Sequence, residues 1–119
     1  MRSPMPLQEF KAYHAHLYYS DHDGLSEAQH IAHQVAELFD VSVGRFHEKK
    51  VGPHPMWSVQ ISFSSVILAE IMPWLIQNRG TLDVLLHPLS GDELWDHTQG
   101  ACWLGKSHTL DIRQFLPKI

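Results

Sequence analysis

Residues 11–19, KAYHAHLYY, alternate with period two. Tyr13, Ala15, Leu17 and Tyr19 fall on one side of an extended chain; Ala12, His14, His16 and Tyr18 fall on the other. Such a strand must bury its apolar side under another layer. It then presents two imidazoles on the opposite face, one step apart. This constrains the fold to a sheet with one covered face and one face that carries chemistry.

The remaining periodicities extend that reading. After a loop at 20–24, residues 26–39 predict a helix, with Ser26 and Gln29 as a capping box and Ala28, Ile31, Ala32, Val35, Leu38 and Phe39 as its stripe. Residues 41–47 predict a second strand, and 48–55, with Gly52, Pro53 and Pro55, a stiff loop. Residues 56–63 alternate, with Trp57, Val59, Ile61 and Phe63 toward the core. A second helix is expected over 66–78, with Pro73 as a kink or near its end and Gly80 as its cap. Residues 82–87 predict a fourth strand. A short helix in 92–99 and a short strand in 101–104 follow as a C-terminal extension.

The order β-α-β-β-α-β predicts an α+β, ferredoxin-like sandwich: a four-stranded antiparallel sheet with two helices on one face. One domain spanning residues 1–119 is expected. The first and third strands are expected to be central and parallel. The start of strand one, the end of two, the start of three and the end of four would then share one edge.

Ten histidines are present in 119 residues. On the expected sheet, His14, His47, His54 and His87 gather at that shared edge, with His16 one step along and His97 in the extension above. Imidazole is the commonest metal ligand and titrates near neutrality. His14, His16, His54 and His87 are the candidate metal ligands. His47 and His97 are candidates for catalytic proton transfer, and Arg45 for holding a substrate carboxylate. His22, His30, His33 and His108 read as ordinary surface histidines, and each motif taken alone has an ordinary structural explanation.

Charge and composition narrow the function classes. A formal charge of -4 with scattered basic residues gives no nucleic-acid footprint. Cys102 is the only cysteine, so no internal disulfide forms, and a reducing cytoplasm is expected. The opening Met-Arg-Ser-Pro-Met-Pro lacks the apolar run of a signal peptide, and no segment is long and apolar enough to span a membrane.

Together the motifs Tyr13-His14-Ala15-His16, Arg45-Phe46-His47, Val51-Gly52-Pro53-His54-Pro55, Asn78-Arg79-Gly80, Val84-Leu85-Leu86-His87-Pro88, Asp96-His97 and Trp103-Leu104-Gly105 resemble the DOPA 4,5-dioxygenase family. The resemblance covers about residues 13–105. It implies a ferredoxin-like domain that cleaves a catechol ring in the extradiol mode with non-haem Fe(II) and O₂. Zinc is the other metal such imidazoles would hold after purification. The matched motifs show no clear carboxylate ligand; Asp83, Glu48 and Asp96 are the nearest candidates, and an all-histidine site is the alternative. A zinc-dependent hydrolase and a non-catalytic binding module remain as other readings of the same residues. The uncovered sheet face predicts a homodimer.

Overall fold

The computed structural model describes residues 10–117. The reading of the first six residues as free of a signal peptide therefore lies outside the described residues.

The first strand, β1, runs from Ala12 to Tyr19. Ala15, Leu17 and Tyr19 join the hydrophobic core, while His16 and Tyr18 are buried on the opposite face. The first helix, α1, spans His22–Leu38, four residues earlier than Ser26 suggested. Asp21 is the N-cap, its carboxylate accepting from the Gly24 N–H at 2.7 Å. The polar run Ser20-Asp21-His22-Asp23-Gly24 reads as a loop because its residues favour turns. Here they supply the cap and first turn instead. Gly24 sits where a Cβ would come within 2.8 Å of the Tyr19 Cβ, so the glycine lets the helix turn closely away from β1.

The second strand, β2, covers only Val41–Val43, against an expected 41–47. The chain still follows its neighbour: the Gly44 N–H donates to the Gln60 carbonyl at 2.8 Å, and the His47 N–H to that of Ser58 at 3.0 Å. Three residues on one side match two on the other, the signature of a bulge. The extra residue reverses the alternation. Val41, Val43 and then Phe46 face the core, and Arg45 is left in solvent.

The third strand, β3, spans Trp57–Ser64 and alternates as its sequence requires, with Val59, Ile61 and Phe63 buried in the core. After a short 3₁₀ turn, α2 occupies Leu68–Asn78. Pro73 lies inside it on the exposed side, and Ala69, whose carbonyl loses its usual N–H partner, is exposed as well. Gly80, at φ 61°, follows the helix as its left-handed stop. The fourth strand, β4, spans Asp83–Pro88, α3 spans Glu93–Asp96 and β5 spans Cys102–Leu104.

The fold is α+β, but among the described residues its sheet has five strands, not four, in the order β2-β3-β1-β4-β5. The extension supplies the fifth, with Leu104 opposite Val84 and Cys102 opposite Leu86. β1 and β3 are adjacent but antiparallel, contrary to the parallel pairing expected from sequence. The reason is geometric: α1 carries the chain back, so β2 runs with β1, and the next reversal sets β3 against both. Ala28, Ile31 and Val35 of α1 and Ile71 and Leu75 of α2 pack on Leu17, Val59, Ile61 and Val84. Each buried Leu, Ile or Val among them contributes roughly 1.5–3 kcal/mol by leaving water. Both helices therefore cover one sheet face and leave the histidines on the other.

Candidate metal centre

The β1–β4 ladder sets His14 directly opposite His87. His16, two residues along β1, keeps to the same face by strand alternation. Each of the three offers a nitrogen within 4.8 Å of the others. The Nε2 atoms of His16 and His87 are 3.1 Å apart. Two nitrogens bound at about 2.1 Å to one ion, roughly at right angles, would lie about 3 Å apart.

His87 Nδ1 lies 2.9 Å from the Pro88 carbonyl. A carbonyl only accepts, so Nδ1 carries the proton and the Nε2 lone pair faces the other two rings. This is the usual arrangement behind a metal-binding imidazole. Burial holds these rings neutral. His87 is pushed down to about 4, mainly by burial and by the nearby His97 and His14, against the Pro88 hydrogen bond, which favours the proton. His16 is held well below its ordinary value by burial and by His54, His87, His14 and His97. His14 is lowered by burial and His97, with Asp96 opposing. Neutral, desolvated imidazoles with converging lone pairs fit a borderline divalent ion such as Fe(II) or Zn(II). The cluster could hold such an ion.

His54 arrives by a different route from the one expected. Because β3 is antiparallel to β1, the residues just before Trp57 lie near Tyr19, away from His14. The 48–55 loop instead folds back over the open face, turning through Gly52 at φ 54° with the His54 N–H bonded to the Val51 carbonyl at 3.1 Å. The His54 ring then lies 4.2 Å from that of His16, centroid to centroid. Its Nδ1 is 2.7 Å from the Tyr18 hydroxyl. Burial, followed by His97 and His87, lowers His54 to about 4.

His97 closes the other side. Its Nδ1–H donates to the Glu93 carbonyl at 2.7 Å, leaving the Nε2 lone pair free. Its ring stacks on Phe115 at 4.6 Å and lies tilted against His87 at 4.3 Å. The C-terminal segment is tied down by the Asp111 N–H on the Pro53 carbonyl at 2.9 Å. The open cavity between them measures about 270 Å³ and is lined by His14, His16, His54, His87 and His97 together with Gln60, Glu93, Asp96, Gln114 and Phe115.

Five of the six candidate histidines are thus brought together. His47 is not among the lining residues; it stays beside Ser58 on the β2 side. Arg45 is exposed and lies outside the cavity. Of the candidate carboxylates, Glu48 pairs with His22 and Asp83 with His108, each at 2.8 Å and away from the cavity. Asp96 lines the cavity but accepts from the N–H and hydroxyl of Ser90. Tyr18, Gln60, Glu93, Gln114 and Phe115 were not singled out from sequence. Tyr18 and Gln60 carry a signal by strand parity: Tyr18 shares a strand face with His14 and His16, and Gln60 alternates with the core set of residues 56–63.

Known proteins share this arrangement of chain. The profile of the Dopa 4,5-dioxygenase family matches residues 13–114. A DOPA 4,5-dioxygenase of Amanita muscaria is 31% identical over 112 residues, covering 87% of this chain and 49% of the relative. An uncharacterized 21.2 kDa protein of Botryotinia fuckeliana is 36% identical over 84 residues, covering 64% of this chain and 46% of the relative. The chain thus spans about half the length of these two relatives. A crystal structure from Nostoc punctiforme, described as a "putative dioxygenase", superposes with a TM-score of 0.84 at 34% identity, covering 89% of this chain and 90% of that one. With its profile matched across most of its length and its histidine-bearing sheet face in place, the chain belongs to the Dopa 4,5-dioxygenase family.

Proposed function

We propose that this protein is a non-haem Fe(II) extradiol dioxygenase that opens the ring of a small catechol with O₂. The observation that carries the reading is the convergence of His14, His16 and His87, the first half-buried and the other two buried, at the floor of a cavity large enough for one aromatic ring. A ferrous ion held by these three imidazoles would supply the redox chemistry and open positions needed to join dioxygen to a catechol.

The chain's own groups supply the rest. The free Nε2 of His97 is placed to take a catechol proton, since its other nitrogen is committed to Glu93. Tyr18 fixes the ring of His54, which can exchange a second proton at the opposite wall. The aromatic edge of Phe115 and the Val51-Gly52-Pro53 loop narrow the cavity and limit water around a bound ring. We read the β2-β3-β1-β4 part of the sheet, with its two helices, as the ferredoxin-like unit, extended by β5. The homodimer belongs to the same proposal. Light scattering at micromolar concentration tests it, and a monomer removes it.

The decisive experiment loads the protein with Fe(II) without oxygen, then follows oxygen uptake and a new visible absorbance with a set of catechols. Uptake matched to ring opening supports the proposal. Metal binding without oxygen uptake for any catechol would return the site to a zinc hydrolase or a binding module.

A further inference from the structure

We propose that the site selects a catechol whose side arm ends in a protonated amine and carries no carboxylate. This deepens the catechol reading above and rests on it. The observation is the charge around the cavity. Its lining includes two carboxylates, Glu93 and Asp96, and no lysine or arginine among the described residues.

The two acids differ in role. Asp96 is 2% exposed and fully engaged by the Ser90 N–H and hydroxyl, so it is a fixed negative charge behind the histidines. Glu93 is exposed at the cavity mouth, and its carboxylate forms no ion pair with a described residue. It is the charged group free to meet a substrate's arm once the ring lies toward the histidines. A carboxylate on that arm would find no cation. Arg45 is on the bulged β2 side, outside the cavity. Arg113, beside the lining Gln114, spends its guanidinium on Asp111 in a fork of 2.8 and 2.7 Å. A carboxylate bound here would lose water without gaining a partner, and would sit near two like charges. An ammonium gains an ion pair at the mouth and keeps part of its hydration.

Binding tests this without relying on turnover. The protein is loaded with redox-inert Zn(II) and titrated calorimetrically, without oxygen, with three probes that share one ring. These are 4-(2-aminoethyl)catechol, neutral 4-methylcatechol and 3,4-dihydroxyphenylacetate. The expected order is amine, neutral, acid, with the amine roughly five-fold tighter than the neutral probe, as for one exposed ion pair. The preference should shrink as salt rises. Glu93→Gln should bring the amine close to the neutral probe, and Glu93→Lys should favour the acid. Glu93 is exposed, so both variants keep the core intact, and far-ultraviolet circular dichroism checks this. Equal affinities, or the acid binding tightest in the parent protein, would overturn the inference while leaving the catechol reading in place. An amine preference lost in Glu93→Gln, with no oxygen uptake in the iron form, would keep the inference and remove the oxygenase. No binding by any catechol overturns both.

Discussion

His16 and His87 are diagonal neighbours across β1 and β4, yet their Nε2 atoms approach to 3.1 Å, closer than backbone register alone would bring them. The residue directly opposite His87 is His14; the one opposite His16 is Leu85. Side-chain rotamers, set by the Pro88 carbonyl behind His87 and by the packing of His54 on His16, turn the rings toward one point. A shared ion is the simplest use for such an approach.

Removing a wall of that site should remove the metal. His87→Ala and His14→Ala are each expected to weaken Fe(II) or Zn(II) binding by at least 10- to 100-fold, as loss of a ligand or its support does. Ring-opening activity should fall with it. His33→Ala, on the exposed face of α1 beside Glu37, should leave both unchanged. Metal analysis after dialysis, alongside oxygen uptake, reads the difference.

The depressed histidines make the metal-free protein acid-sensitive. In the unfolded chain each imidazole takes a proton near 6.5, whereas His54 and His87 resist it until about 4 when folded. The unfolded state therefore binds more protons between these values, and stability falls as pH drops from about 6.5 toward 4. At one unit per 1.36 kcal/mol, the loss for either ring alone is at most about 3 kcal/mol. Urea denaturation of the metal-free protein at pH 7 and pH 4.5 should show a lower midpoint at the acid value. Zinc should raise the midpoint at pH 7 and lose that effect as protons compete for the same nitrogens.

Tyr18→Phe separates a positioning role from ligation. It deletes the hydroxyl that meets His54 Nδ1 and leaves that buried nitrogen without its partner. A loss of about 1–2 kcal/mol in stability is expected. Metal affinity, which the proposed site draws from His14, His16 and His87, should stay within a few-fold. A metal titration beside a urea curve distinguishes the two effects.

The start of α1 offers a control on the fold. Asp21→Ala should cost about 1 kcal/mol by leaving the first turn uncapped, whereas Ser26→Ala, inside the helix, should be close to neutral. Equal losses would restore Ser26 as the helix start.

Much of the site could be read from strand parity alone. Alternation in KAYHAHLYY and LDVLLH assigns His14, His16 and His87 to the face away from the helices, because a buried aliphatic set leaves no other choice. The joining of His54 to them was anticipated for the wrong reason. The sequence reading pairs β1 and β3 in parallel, whereas the antiparallel pair places His54 in the cluster only through its loop. His47 and Arg45 miss the cluster because β2 runs parallel to β1, so its end lies beside Ser58 and the Tyr19 end of β1, away from His14. Strand direction is set by how the whole chain winds, and no local composition marks it.

The sequence by itself determined most of the residues that face the core, Leu38 of the expected α1 stripe being left exposed, since apolar periodicity is a local property that the hydrophobic effect enforces along the chain. It also determined the order of elements and the imidazole-bearing face. Tertiary structure decided what closes over that face. The folded-back 48–55 loop, α3 with Glu93 and His97, and the segment ending at Phe115 converge from distant parts of the chain. Their meeting depends on strand direction, a bulge and contacts such as Asp111 with Pro53, which form only once the sheet exists.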